Sequence, residues 1–396
     1  MHRRLITLQY LPLLLTVGVV LPSEGMQPDG DSSTARTVWP GVVHCVIHNE
    51  EGPWVIHVLQ VNLTQNDLRL TAVKALDRVK GRETTSAMAR RSPDSLSIAL
   101  AAINGDFFSP DGEPVGQEVN DATIVRARSP RDGAARSGRS HFGLTADGRP
   151  FISRVMFSGL VVFRDRSARR IARINGGWDQ SACSLFNAYF GELTPPDTLP
   201  PLRREWALMA AGTRDDTSLY VVPDSVWTRG GTPVPPGGIV LSEADSAAAS
   251  PGARGDTVRI LLGFAPAQGR VQTLVGGGPR IVLDGRSVAG TEEHREGTAP
   301  DFSSRRHPRS GIGFSADTTL LFFVTVDGRQ DSSAGMSLQE FAELMVSFGI
   351  AQGMNLDGGG STTMVVEGNV VNSPSDAAGE RPVANCLVLL GRKKVY

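Results

Sequence analysis

Cysteine is scarce in this chain: three occur in 396 residues, at positions 45, 183 and 386, and none belongs to a Cys-x-x-Cys or Cys/His cluster. That spacing excludes a thiolate zinc centre. In an oxidising compartment an odd count allows one bridge and leaves one thiol over. Charge of one sign is lacking as well. A formal net charge of -1, with no Lys/Arg run interleaved with aromatics, supplies no field to hold a polyanion, so nucleic acid is not an expected partner. Beyond Leu21 no apolar run is long enough to span a bilayer. Neither a repeat of 20 to 50 residues, a Gly-x-Ser-x-Gly elbow nor a His-Glu-x-x-His pair is present, which argues against a solenoid, an ordinary α/β-hydrolase and a zinc protease. His44, His48 and His57 lie scattered on strand-like sequence and read as structural.

What is present is a globular composition, 40% hydrophobic and 20% charged, enough to bury a full core. His2-Arg3-Arg4, an apolar stretch from Leu5 to Leu21 and a small, polar continuation follow the order of a secretory signal, assigned to residues 1–25, with an exposed N-terminal tail over 26–53. The expected location is therefore exported: periplasmic, cell-surface or secreted. Residues 54–396 read as one catalytic domain. Within it, 155–264 carries short strands between Asx-Gly turns and Pro clusters and reads as a β-rich excursion, and Ala127 to Gly138 reads as an exposed loop.

The C-terminal third is the most legible. Leu320 to Val326 is an unbroken apolar strand, read as covered on both faces, and it ends at Asp327-Gly328-Arg329. Ser337-Leu338-Gln339-Glu340 has the form of a capping box, Leu338, Phe341, Leu344, Met345 and Phe348 follow at helical spacing, and Gly349 stops the helix. A second strand then runs into Asn355-Leu356-Asp357-Gly358-Gly359-Gly360-Ser361-Thr362-Thr363. Strand, helix, strand implies a parallel pair joined by a crossover, which would bring Asp327 and Asp357 out at one sheet edge. The fold class is accordingly read as α+β or mixed α/β: a large mixed sheet with a C-terminal strand-helix-strand crossover and a β-rich middle insertion. If Leu96 to Ile103 joins that sheet in the same direction, Asn104 arrives at the same edge.

A carboxylate followed by three glycines and three hydroxyls suits a polar floor whose amides, free of Cβ atoms, can cradle an anion; the plainer reading is a glycine turn before a hairpin. Gly277 and Gly278, in Gly276-Gly277-Gly278-Pro279-Arg280, could form a second cradle or mark a close backbone crossing. Arg309 brings a forked guanidinium to the start of a strand. Strand-edge carboxylates and carbonyls are of the type that hold Ca²⁺, yet no EF-hand or His-rich spacing is present, so no metal or cofactor is demanded.

Ile103-Asn104-Gly105-Asp106-Phe107-Phe108, Gly276-Gly277-Gly278-Pro279, Arg309-Ser310-Gly311-Ile312-Gly313, Val326-Asp327-Gly328-Arg329, Ser337 to Glu343 and Asn355 to Thr362, in that order, resemble the phosphodiester glycosidase family over roughly Trp54 to Leu390. Arg381, in Glu380 to Asn385, resembles the family's final strand entry. The resemblance implies cleavage between a sugar's anomeric carbon and a phosphodiester oxygen, with an α-linked N-acetylhexosamine-like sugar as the expected substrate. On that expectation Asp357 and Asp327 do the acid/base or nucleophilic work. Asn104, Ser361 and Thr362 orient the sugar, while Arg309, Arg381 and the amides of Gly358, Gly359 and Gly360 stabilise the departing phosphate. Alternatives from other classes are an α-glycosidase acting on extracellular polysaccharide and a non-catalytic envelope protein that binds glycans. Oligomeric state is not legible.

Overall fold

The computed structural model describes residues 32–130, 138–178, 182–197, 203–215, 218–244, 257–266 and 269–393, with backbone only for 211–215. The signal assignment over 1–25 lies outside the described residues, as does most of the loop expected after Arg128.

Two sheets build the half that carries the acidic motifs, and their strands are numbered in chain order. These are β1 (Ser32–Trp39), β2 (Val42–Asn49), β3 (Trp54–Asn62), β4 (Leu68–Lys74), β5 (Ser97–Asn104), β6 (Arg280–Leu283) and β7 (Arg286–Ser287), then β8 (Arg309–Phe314), β9 (Leu320–Val326), β10 (Gln352–Asn355), β11 (Met364–Val366), β12 (Asn369–Val370) and β13 (Asn385–Arg392). One sheet has the order β1-β2-β3-β9-β8-β10-β6-β7 and the other β12-β11-β5-β13-β4. Every pairing within them is antiparallel.

The mixed α/β expectation is thereby corrected: the protein is predominantly antiparallel β. Leu320 to Val326 is indeed covered on both faces, but by a second sheet and one helix rather than by the helices of a parallel sheet. Leu321 and Phe323 of β9 enter the core between the sheets with Leu59, Ile312, Met354, Ile103 and Leu387. Phe322, Val324 and Val326 point the other way, against Leu338, Phe341, Met345 and Phe348 of the helix Leu338–Ser347. A short helix, Thr85–Arg91, covers the outer face of the five-stranded sheet through Met88 and Ala89. The result is four layers, helix, sheet, sheet, helix. Truncating a wholly buried ring such as Phe341 to alanine would cost about 3–5 kcal/mol.

The crossover helix starts where the capping box places it. Ser337 accepts from Glu340 N–H, and Glu340 accepts from Ser337 N–H at 2.8 Å. Yet the strands it joins, β9 and β10, are not neighbours, because β8 lies between them, antiparallel to both. Since β9 and β10 therefore still run the same way, their carboxyl ends reach one edge.

The exposed-tail expectation for 26–53 is also corrected from Ser32 onward. Residues 32–49 form β1 and β2, and Val42, Val43, Cys45 and Ile47 are buried. The apolar, β-branched run Val42-Val43-His44-Cys45-Val46-Ile47 is an ordinary strand signal, obscured by the polar residues before it.

The middle segment is β-rich as expected and closes on itself. Met156–Val162, Val258–Ala265, Ser218–Trp227, Arg203–Asp215, Ile239–Ala244, Cys183–Phe186 and Ala168–Ile174 pair in that order, and the last returns to Met156–Val162. Its interior is filled by Phe157, Ile171, Trp206, Leu241 and Ile260. In place of a bridge, the structure shows three free and buried cysteines. Each belongs to a different apolar cluster, so no two can meet.

Candidate active site

Asp327 leaves β9 on the same face as Leu321, Phe323 and Thr325, toward the five-stranded sheet. Its carboxylate is 3% exposed and accepts from Asn372 Nδ2 at 3.1 Å and from Ser373 N–H at 3.0 Å. Burial pushes its pKa up to about 6, against the downward pull of those donors and of His48. Asn372 also donates to Thr362 O at 3.1 Å and accepts from Met364 N–H at 2.7 Å. One amide thus ties Asp327 to the glycine-rich segment.

Asp357 leaves β10 and is held by its backbone. Its N–H donates to Gly105 O at 2.9 Å and its C=O accepts from Asn104 Nδ2 at 2.6 Å. Burial raises its carboxyl to about 6 too, opposed by the Ser361 hydroxyl, the Arg381 charge, the Gly358 N–H and the Arg139 charge. The backbone that follows each aspartate packs on Pro308, the residue before β8. A Cβ on Gly328 would stand 2.8 Å from Pro308 N, and one on Gly358 would stand 2.8 Å from Pro308 O. Only glycine after each aspartate lets the three segments close on one another.

Asn104, fully buried at the end of β5, reaches this edge from the facing sheet, so the condition that Leu96 to Ile103 join the sheet of β9 and β10 is not met. Besides Asp357 it engages Ser310 Oγ at 2.7 Å and Thr363 N–H at 3.0 Å, both donating to its Oδ1. It is a buckle between the sheets with its hydrogen bonds spent inside the protein.

The glycine amides are largely used up as well. Gly359 N–H donates to Pro308 O at 2.8 Å, and the N–H groups of Ser361 and Thr362 close a 3₁₀ turn onto Gly358 O and Gly359 O. Ser361 lies beside Asp357, and the hydroxyls of Ser361, Thr362 and Thr363 are buried with no hydrogen-bond partner among the described residues. Gly360 has no room for a side chain, since a Cβ there would lie 2.1 Å from both Arg381 Nη2 and Asp376 Oδ1. Arg381 is bound by Asp376 through two bonds of 2.7 and 2.8 Å.

Arg309 turns to the helix side of its strand, the opposite face from Ser310. It is wholly buried, with Nε donating to Met336 O at 2.7 Å and Nη2 to Phe302 O and Arg305 O at 2.8 and 3.0 Å. Burial lowers its pKa to about 10. Gly277 and Gly278 pack on β10: a Cβ on Gly277 would meet Met354 Cε at 2.5 Å, and Gly278 N–H donates to Asn355 O at 2.8 Å. That is the close-crossing reading rather than an anion cradle.

Several neighbours were given no role in the sequence reading. Asp106 is 1% exposed. Its Oδ2 accepts from Gly116 N–H at 2.6 Å while Oδ1 has no partner, and burial raises it to about 7. Phe107 and Phe302 meet edge to face at 5.8 Å, capped by Arg139 over Phe107 at 4.7 Å and Arg309 over Phe302 at 4.9 Å. The Asn-Gly-Asp-Phe-Phe run pointed at this place; Arg139, Asn372 and Ser373 stand in sequence that reads as loop. Among the described residues no group of three or more His, Cys, Asp or Glu side chains is arranged to hold a metal ion, and no helix is long and apolar enough to cross a membrane.

A buried and a half-buried carboxyl, both raised to about 6, at the rim of a β-sandwich have the chemistry of an acid/base hydrolytic site. Residues 216–390 match the model of the phosphodiester glycosidase family, a stretch that holds Asp327, Asp357, Arg309 and Arg381 but not Asn104. A SPbeta prophage-derived uncharacterized protein of Bacillus subtilis is 40% identical over 84 residues, 21% of this chain and 13% of that protein. The N-acetylglucosamine-1-phosphodiester alpha-N-acetylglucosaminidase of Mus musculus is 29% identical over 103 residues, 26% of this chain and 20% of the mouse protein. The matched stretches are thus a minor part of either relative. Among solved structures, a putative exported protein from Burkholderia pseudomallei superposes with a TM-score of 0.61 at 26% identity, over 85% of this chain and 74% of that one.

Proposed function

We propose that this protein is an exported glycosidase that hydrolyses the bond between a sugar's anomeric carbon and a phosphodiester oxygen, with an α-linked N-acetylhexosamine-like sugar on the glycone side. The observation that carries the reading is that Asp327 and Asp357 leave β9 and β10 at one sheet edge, with the glycine after each packed on Pro308 and burial raising both carboxyls to about 6. The family match over 216–390 and the name of the mouse relative support the bond and the sugar. The basic, apolar, then polar order of the N-terminus and the exported Burkholderia neighbour support the location.

Glycosyl transfer passes through an oxocarbenium-like transition state, so a carboxylate near the anomeric carbon is the minimum equipment. The bond from that carbon to oxygen breaks, a water oxygen takes its place, and one water proton passes to a carboxylate. The products are the free sugar and a phosphomonoester. That leaving group has a second pKa of about 6, far below an alcohol, so it asks for charge stabilisation more than for strong general-acid help. Asp357 and Asp327 share the nucleophilic and acid/base work. Asn104 positions Asp357 through its carbonyl.

The test is a panel of sugar-1-phosphodiesters and plain α-glycosides assayed with purified protein, with and without chelator. Release of N-acetylglucosamine from the diester is the expected result. Release only from a plain α-disaccharide would select a polysaccharide glycosidase instead, and binding without turnover of either would select a glycan-binding protein.

A further inference from the structure

The arginines near the acidic edge are sorted by their partners. Arg381 is clamped by Asp376, Arg306 is paired with Glu340 and Arg305 with Asp301. Arg309 is enclosed and donates to three carbonyls. Two are left, Arg329 and Arg139, and neither has a carboxylate partner among the described residues.

Arg329 follows Asp327-Gly328 with φ at +61°, a left-handed conformation that costs a residue bearing a Cβ about 1–2 kcal/mol and that glycine or asparagine would adopt more readily. Its guanidinium is exposed, with Nη2 3.1 Å from where a Cβ on Gly359 would lie. It meets His307 Nδ1 at 3.3 Å, where a guanidinium can only donate, so the imidazole presents its acceptor nitrogen and brings no compensating negative charge. Arg139 lies over Phe107, and its charge acts on both Asp357 and Asp106. Arg329 thus reaches the turn after Asp357 at Gly359, while Arg139 stands over Phe107 with its charge acting on Asp357.

Resting on the function proposed above, we infer that Arg329 and Arg139 receive the substrate's phosphate, and that the ligand class they select is a phosphate ester rather than an uncharged aglycone. A forked guanidinium without a protein carboxylate keeps its donors for phosphate oxygens. The backbone of Arg329 holds a strained conformation that aims its fork over the glycine turn, as functional strain commonly does. Arg381, bound by Asp376, and Arg309, enclosed with Nε and Nη2 on backbone carbonyls, act on the frame of the site instead.

The experiment uses the full chain, with Arg329→Gln, Arg139→Gln and the double variant. Arg149→Gln, an exposed residue paired with Asp147, is the control. Kinetics on a sugar-1-phosphodiester and calorimetric titration with inorganic phosphate are both read. Each single variant should raise KM for the diester and Kd for phosphate about tenfold, and the double variant more, with kcat changing less than KM; the control should match wild type. A double variant with unchanged KM and phosphate affinity overturns the inference even if the diester is cleaved. Phosphate binding that is lost in the double variant, in a protein that cleaves no diester, would uphold this anion site and sink the hydrolase reading. Wild type that neither binds phosphate nor cleaves the diester overturns both.

Discussion

Gly328 and Gly358 press on a single residue, Pro308, from two sides, each placed so that a Cβ would come within 2.8 Å of its backbone. Because each glycine follows an aspartate, this contact sets the relation between Asp327 and Asp357. It holds the backbone after β9 and the backbone after β10 together although β8 separates the two strands.

Gly328→Ala should therefore damage both stability and activity. The added Cβ would also meet Gly335 Cα at 2.8 Å, and backbone on both sides has little freedom to yield. A loss of about 1–3 kcal/mol in urea unfolding is expected, with a larger proportional loss in kcat than in KM. Native-like stability and turnover would show that the close approach is dispensable.

Asp357→Asn and Asp327→Asn should each lower kcat by about 10²–10⁴ without loss of the folded circular dichroism spectrum. Both carboxyls hold their protons to about pH 6. The ionised form is therefore depleted below that pH, and kcat/KM should fall about tenfold per pH unit on the acid side. An acid limb near pH 4 would mean that neither group carries the reaction.

Asn372→Ala tests how Asp327 is held. The wild-type amide donates to the carboxylate and lowers its pKa, so its removal should move the acid limb to higher pH. Three hydrogen bonds also lose a partner, and a drop in stability of about 1–3 kcal/mol is expected from thermal melts. An unmoved acid limb with reduced stability would leave Asn372 a purely structural role.

Asp106→Asn should stabilise the protein at neutral pH. The native carboxyl is raised from 3.8 to about 7 by burial, so the folded state is penalised once the group ionises. The stability conferred by the raised value is complete below about pH 4 and is lost as pH rises through 7. The neutral amide escapes that loss, and its oxygen can still accept from Gly116 N–H. A gain of about 2–4 kcal/mol at pH 8 that vanishes at pH 4 is expected, read as Tm across pH. An equal effect at both pH values would exclude burial of charge as the cause.

Local rules were enough for much of this molecule. The capping box at Ser337 and Glu340, the stop at Gly349 and the strand Leu320 to Val326 follow from short-range chemistry, because a cap, a left-handed glycine and an apolar run each act within a few residues. The arrival of Asp327 and Asp357 at one edge also followed, since a strand, a helix and a second strand restore chain direction whichever strand lies between them.

The rest was decided by contacts distant in sequence. An unbroken apolar strand reports that both its faces are covered, not by what, so the second sheet and the insertion of β8 between β9 and β10 could not be read from it. The same holds for the arginines. In sequence Arg309, Arg329 and Arg381 are equivalent charges, and only packing shows that Met336, Phe302 and Asp376 have taken two of them while the third meets only the uncharged acceptor of His307 among the described residues. A guanidinium's availability depends on its neighbours in space, and those neighbours are fixed by the fold rather than by the residues beside it in the chain.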